Sequence, residues 1–156
     1  MSFEKRPSDF LEAVFFHYLG WLFLSLLVVF EKIDWSLLMK DFRGLAVWKQ
    51  AHLLVLNVYR VTESFPRHEL FGLTSQIRRA AASIPTNIAE GCGRDGDAEL
   101  GRFLNIAKGS TSEVEYLLQL SRDLNYLEAE SGGRLMLQTV EIRKMLYGLQ
   151  KSLGEK

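Results

Sequence analysis

Residues 91–96 have the sequence GCGRDG and match the spacing G-x-G-x-x-G, which in dinucleotide-binding folds lets the backbone approach a pyrophosphate. That chemistry requires a buried strand before the first glycine and a helix after the last one. The preceding stretch instead carries apolar residues at helical spacing. The motif therefore predicts a glycine-rich turn between two helices, and we expect no nucleotide cofactor or other cofactor.

Side chains suited to metal binding or nucleophilic catalysis are few. A carboxylate-bridged metal site in a helical bundle needs Glu-x-x-His motifs on two helices, and the chain has none. His68-Glu69 begins an H-E-x-x-H zinc motif, but Gly72 stands where the second histidine should be. Cys92 has no sequence neighbour that would act as a base to form a thiolate. We expect no metal site, no catalytic residues and no enzymatic activity.

Five basic residues are candidates for binding the phosphates of RNA or DNA. Arg78 and Arg79 adjoin in one predicted helix, Arg94 follows in the glycine-rich turn, and Arg102 and Lys108 lie in the next helix. Cations grouped on one surface bind phosphate oxygens through charge-assisted hydrogen bonds. The same stretch also contains acidic residues, namely Asp95, Asp97 and Glu99. A solvated face of mixed charge is therefore the alternative interpretation.

Net charge does not decide between these two interpretations. The chain has 19 basic and 19 acidic residues, and residues 39–156 alone have 16 basic and 14 acidic residues. A charge of +2 is too small to indicate nucleic-acid binding by itself. The single cysteine excludes an internal disulfide and favours a reducing, cytoplasmic compartment.

The elements that must position these residues are helices. From Leu45 onward, apolar and small residues recur at steps of three and four, the spacing of one helix face. Four such stripes are present: 48, 51, 55, 58, 62 and 65; 70, 73, 77, 81, 84 and 88; 100, 104, 107, 111, 114, 118, 121 and 125; and 135, 139, 142, 146, 149 and 153. The predicted breaks fall at Phe65-Pro66, at residues 91–96 and at Ser131-Gly132-Gly133. The pattern predicts an all-α fold, an antiparallel up-down-up-down four-helix bundle with short connections.

Two residues of the second predicted helix have structural roles. Pro85 removes one backbone donor inside the helix and should bend it, while Ser83, Thr86 and Asn87 compensate by bonding nearby backbone groups. Gly91 is expected to end the helix in the left-handed conformation of a C-cap.

Residues 1–38 differ in composition from residues 39–156, the predicted bundle domain. They are 61% apolar against 43% and hold nine of the 18 aromatic residues. Residues 13–30 carry no formal charge over 18 positions, which is near the minimum length of a membrane-spanning helix. Three hypotheses stay open for this extension: a membrane anchor, an extra hydrophobic helix, or upstream sequence translated from a wrongly assigned start. The last predicts that Met39 begins the natural product.

The segment at residues 71–91, FGLTSQIRRAAASIPTNIAEG, resembles the signature of the bacterial 23S rRNA intervening-sequence protein family. Residues 39–43, MKDFR, resemble that family's usual start, and the likeness extends to Leu153. The resemblance implies an antiparallel bundle that assembles into a closed homopentamer, without catalytic residues. A relative is the accessory variability determinant of diversity-generating retroelements, a ring that binds nucleic acid and a reverse transcriptase.

We therefore expect a non-enzymatic, oligomeric binding or scaffold protein that contacts RNA or DNA phosphates through its surface arginines. Surplus apolar side chains such as Phe42, Trp48, Phe71 and Tyr116 would be buried between subunits. The alternative is a protein-binding adaptor without nucleic-acid affinity, membrane-associated through residues 13–30 if these form an anchor.

Overall fold

The computed structural model of the chain describes residues 41–154. The hydrophobic extension at residues 1–38, with its candidate span at residues 13–30, lies outside the described residues. Among the described helices, none combines the length and apolar character needed to cross a membrane.

Four long helices make up the described part of the chain. They are α1 (Ala46–Val61), α2 (Leu73–Cys92), α3 (Gly96–Asp123) and α4 (Ala129–Gly154). Short 3-10 turns precede α1 at Phe42–Gly44 and follow it at Thr62–Ser64 and Arg67–Glu69. Residues 41–154 contain no strand, so the predicted all-α class is confirmed for them.

The helices pack as an antiparallel bundle. Each consecutive pair is in contact, and α1 also packs against α4, which closes the four-helix arrangement. Direction follows from pairs of contacts. Between α2 and α3, Gly91 lies against Leu100 while Ser83 bonds Ser110, and between α3 and α4, Lys108 bonds Gln150 while Glu115 bonds Arg143. The predicted up-down-up-down topology is confirmed.

The predicted stripes supply most of the buried core. Ala51, Ile77, Leu104 and Ile142 are fully buried, one from each helix. The stripe of α1 is rotated from the prediction, because Val47 and Leu54 are buried while Trp48 and Val55 are only half-buried. In a helix these positions are neighbours on a broad apolar face, so spacing alone does not identify the deepest residues.

The predicted break at Ser131-Gly132-Gly133 is wrong, because these residues lie in the first turns of α4. The chain instead turns at Asn125, whose φ of 59° is in the left-handed region. Gly132 is buried in close contact with its neighbours: a Cβ there would lie 2.7 Å from Cδ of Arg122 and 3.3 Å from Cδ2 of Leu127. Tertiary contact thus overrides the low helix propensity of glycine.

The prediction that Gly91 is a left-handed C-cap is also wrong. Gly91 is buried in the last turn of α2, and within residues 41–154 the glycine with a positive φ is Gly96, at 84°. A Cβ on Gly91 would lie 2.9 Å from both Cδ1 of Leu100 and Cβ of Phe103. Gly91 is therefore needed for the close approach of α2 and α3.

Helix α2 continues through Pro85, which is buried. Two of the three compensating bonds expected around it are present: Thr86 Oγ1 donates to the carbonyl of Ala82 at 2.8 Å, and Asn87 Nδ2 donates to the carbonyl of Ser83 at 2.8 Å. Ser83 Oγ instead bonds the side chains of Ser110 and Asn87. Side chains thus supply donors to backbone carbonyls next to the proline.

Candidate functional site

Two of the predicted phosphate-binding residues lie together at the α2–α3 turn. The guanidinium groups of Arg94 and Arg102 lie 5.6 Å and 4.4 Å from the ring centroid of Phe103. Each is also paired with a carboxylate. Arg94 contacts Glu90 at 2.5 Å, and Arg102 makes two hydrogen bonds of 3.1 Å to Glu99.

These four charges act on one another electrostatically. The hydrogen bonds from Arg102, aided by the charges of Arg102 and Arg94, hold the pKa of Glu99 below its usual range. Hydrogen bonding to Glu99 in turn raises the pKa of Arg102. Two cations and two carboxylates sum to zero, so this cluster has a weak net attraction for phosphate at long range.

Arg78 lies toward the opposite end of α2 and contacts α1. Its Nε donates to Oγ1 of Thr62 at 2.7 Å, and its guanidinium lies 4.7 Å from the ring centroid of Tyr59. Fourteen residues separate Arg78 from the end of α2, which corresponds to about 21 Å along the helix axis. Arg78 and Arg94 therefore belong to different surfaces.

The remaining two candidates lie apart from the others. Arg79 is exposed, and within residues 41–154 it has no ion pair. Lys108 donates a hydrogen bond to Oε1 of Gln150 and lies 4.3 Å from the ring centroid of Tyr147, between α3 and α4. The fold thus distributes the five predicted cations over several surfaces and brings only Arg94 and Arg102 together.

Helix α1 exposes apolar side chains on its outer face. Leu53, Leu56 and Tyr59 are 47%, 46% and 45% exposed and follow one another at three-residue steps. We call these three residues the α1 band. Phe71, in the connection to α2, is 92% exposed. Of the residues expected between subunits, Tyr116 is also exposed, whereas Phe42 and Trp48 pack against the core.

A groove of about 310 Å³ lies beside the α1 band, between α1 and α2. Its lining is largely apolar: Phe42, Trp48, His52, Val55, Ala82, Pro85, Thr86 and Ala89. The rings of Trp48 and His52 stack with centroids 5.3 Å apart. This groove extends the apolar surface of α1 toward α2.

A second cavity, of about 440 Å³, lies between α1 and α4 and was not expected from the sequence. Arg60 of α1 and Arg134 of α4 both line it, although 74 positions separate them in the chain. Sequence spacing suggests an ion pair between Arg60 and Glu63, but Glu63 lies in the 3-10 turn after α1 and none forms. The feature of the sequence that points to Arg60 is that residues 46–61, which form α1, contain no acidic residue to pair with it.

Other candidate chemistry is sparse in the described residues. No three His, Cys, Asp or Glu side chains in residues 41–154 converge as metal ligands would. Cys92 is buried in the last turn of α2, at 6% exposure. Burial at this level keeps the thiol from reacting with bulky substrates.

Comparison with known proteins identifies one family. The sequence profile of the 23S rRNA-intervening sequence protein family matches residues 43–148. A crystal structure of a protein of unknown function from the S23 ribosomal protein family of Bacteroides thetaiotaomicron is 26% identical, with a TM-score of 0.62. The alignment covers 68% of this chain and 99% of that one. No curated protein matches the chain.

Proposed function

Because this chain belongs to the 23S rRNA-intervening sequence protein family, we propose that it is a non-enzymatic binding and scaffold protein that assembles with copies of itself. The observation that carries the proposal is the α1 band, three large apolar side chains that each expose nearly half of their surface. Contiguous exposed apolar surface is typical of protein–protein interaction sites.

The arrangement of apolar features favours a closed ring. A ring needs two different surfaces on each copy, one of which fits the other on the next copy. Phe71 projects into solvent at one end of α2, and the α1–α2 groove is an apolar depression toward the other end of the bundle. Insertion of Phe71 into the groove of the next copy, beside the α1 band, would make such a head-to-tail contact. The closed pentamer implied by the sequence resemblance is of this type.

Sedimentation equilibrium of the full chain tests assembly. We expect one closed oligomer, and Leu53→Asp with Leu56→Asp should reduce the mass toward that of a single chain, because carboxylates are costly to bury in an apolar contact. Leu137→Asp is the matched control, since Leu137 is 73% exposed on α4 and outside the proposed contact. A wild-type chain that stays monomeric at all concentrations would refute the proposal.

Contact with RNA is the second part of the proposal. Arg79 supports it because it is exposed and has no ion pair in residues 41–154. The exposed pairs of Arg94 and Arg102 are of a kind that contributes little stability, so phosphates can compete for these arginines. Repetition of weak sites around a ring would add avidity. The family takes its name from 23S rRNA intervening sequences.

Filter binding of structured RNA across a salt series separates this activity from that of a protein-binding adaptor. Phosphate-driven binding should weaken steeply as salt rises, and Arg79→Gln with Arg94→Gln should reduce the slope by about two. Arg143→Gln is the control, because Arg143 is half-buried and paired with Glu115. Absence of retention at low salt would favour the adaptor, whose partner affinity should survive salt.

A further inference from the structure

The cavity between α1 and α4 has the features of a built binding site. Val61 and Leu135 supply its apolar lining, and polar side chains from both helices supply the rest. The polar residues are Asn57, Arg60, Ser131, Arg134 and Gln138. At about 440 Å³ the cavity falls within the size range of small-molecule sites and exceeds what a simple inorganic ion fills.

A chain of hydrogen bonds holds one cation in place at this cavity. Arg60 Nη1 donates to Oδ1 of Asn57 at 2.8 Å, and Asn57 Nδ2 donates to Oε1 of Gln138 at 3.1 Å. Gln138 Nε2 in turn donates to the backbone carbonyl of Gln50 at 3.3 Å. The chain of bonds crosses from α1 to α4 and back, so the guanidinium is pre-organised and loses less entropy when it binds a ligand.

The charges at the cavity leave a positive surplus. Arg134 pairs with Glu130 and donates to Oγ of Ser131 at 3.2 Å, whereas Arg60 has no ion pair within residues 41–154. Glu130 has an 83% exposed side chain, and ion pairs of that kind are readily exchanged. A guanidinium has five N–H donors, of which the described contacts use one on Arg60 and two on Arg134. Donors therefore remain available on both arginines.

We propose that this cavity binds a small organic anion, whose carboxylate or phosphate group bonds Arg60 and Arg134 while its apolar body lies on Val61 and Leu135. Arginine matches both kinds of oxyanion with paired hydrogen bonds. Asn57 and Gln138 act as positioning residues for Arg60. The site is formed by one chain, so it does not depend on assembly or on RNA binding.

Isothermal titration of the full chain with phenyl phosphate and with benzoate tests the site, with uncharged benzamide as the matched probe. We expect at least one anion to bind roughly tenfold or more tightly than benzamide, and Arg60→Gln and Arg134→Gln each to weaken it by about tenfold or more. Asn57→Ala should weaken binding less than Arg60→Gln, because it removes only the positioning bond. The tighter of the two anions identifies the preferred oxyanion.

Arg143→Gln is the control variant, because Arg143 pairs with Glu115 on the α3–α4 face and does not line the cavity. It should leave the affinity unchanged. Arg60 and Arg134 are exposed, so circular dichroism should show that their variants stay folded. The proposal is overturned if neither anion binds more tightly than benzamide, or if the two arginine variants retain the wild-type affinity.

Discussion

The α2–α3 side of the bundle and the surroundings of α1 differ in how tightly they are packed and how their charges are paired. Between α2 and α3, Gly91 permits a close approach, and Arg94 and Arg102 are paired with Glu90 and Glu99. Around α1, the α1–α4 cavity of about 440 Å³ and the α1–α2 groove of about 310 Å³ lie on its two sides, and the side chains of the α1 band stay exposed.

This difference shows which cations remain available to a ligand. Carboxylates three or four residues from an arginine pair with it along the helix, as happens to Arg94 and Arg102. Arg134 is paired in the same way with Glu130, but Arg60 has no ion pair within residues 41–154, and these two arginines reach a common cavity from two helices. The α2–α3 cluster therefore has no surplus charge, whereas Arg60 leaves a surplus positive charge at the cavity between α1 and α4.

Gly91→Ala tests the tight packing between α2 and α3 and should have the largest effect. The new methyl group would meet Leu100 and Phe103 at 2.9 Å, so we expect overpacking to lower the free energy of unfolding by about 1–3 kcal/mol. Guanidinium chloride denaturation at constant protein concentration measures it. Gly101→Ala is the control: nothing lies within 4 Å of its Cβ, and the change should stabilise α3 by about 0.5–1 kcal/mol. Equal free energies of unfolding for the two variants would contradict the close approach of α2 and α3 at Gly91.

Arg78→Met tests how much the contacts of Arg78 with Thr62 and Tyr59 contribute to the stability of the α1–α2 packing. It removes the bonds to Oγ1 of Thr62 and to the carbonyl of Tyr59, and we expect a loss of about 1–2 kcal/mol in the free energy of unfolding. Arg79→Met, at the adjacent exposed position, should change it by less than about 0.5 kcal/mol. Thermal and denaturant unfolding of both variants measure the difference. If Arg79→Met lowers the free energy of unfolding more than Arg78→Met does, the contacts of Arg78 with α1 do not stabilise the fold as proposed.

Arg102→Gln tests the charge pairing at the α2–α3 turn and should have the smallest effect on stability. Hydrogen bonding from Arg102 lowers the pKa of Glu99, so we expect that pKa to rise toward its ordinary value in the variant. A carboxylate with a lowered pKa in the folded state stabilises the fold above its unfolded pKa, and the contribution is lost as pH falls through the folded pKa. The small stability difference between wild type and variant should therefore close at low pH.

Carboxyl carbon NMR titration of Glu99 in wild type and variant measures this change. Arg134→Gln serves as the control, because Arg134 pairs with Glu130 on α4. High salt should reduce the shift in wild type, since both partners are exposed. An unchanged Glu99 titration in Arg102→Gln would show that the pair does not persist in solution.

Much of the fold could be predicted from helical periodicity. The stripes of α2 and α3 matched buried residues such as Ile84 and Val114, because a helix that must cover a core has to be apolar on one side. The predicted ends were less accurate. Ser131-Gly132-Gly133 have the composition of a turn, but packing of Gly132 against Arg122 and Leu127 keeps them helical.

Sequence spacing predicted the candidate sites less well than it predicted the helices. The resemblance carried by residues 71–91 predicted the family, which the profile match over residues 43–148 confirms. It did not indicate that Arg78 contacts α1, nor that Arg60 and Arg134 line one cavity. Both facts depend on how two helices are rotated and placed against each other, which no spacing within one helix encodes.

By itself, the sequence determined the helical class, the number and direction of the helices, and the family. Local periodicity and short connections are sufficient for these, since neighbouring antiparallel helices are what such a chain can pack. Only the tertiary structure decided which glycine permits close packing, which arginines are already paired, and which surfaces of α1 stay open. Those outcomes depend on contacts between residues distant in the chain, whose geometry is set when the helices pack together.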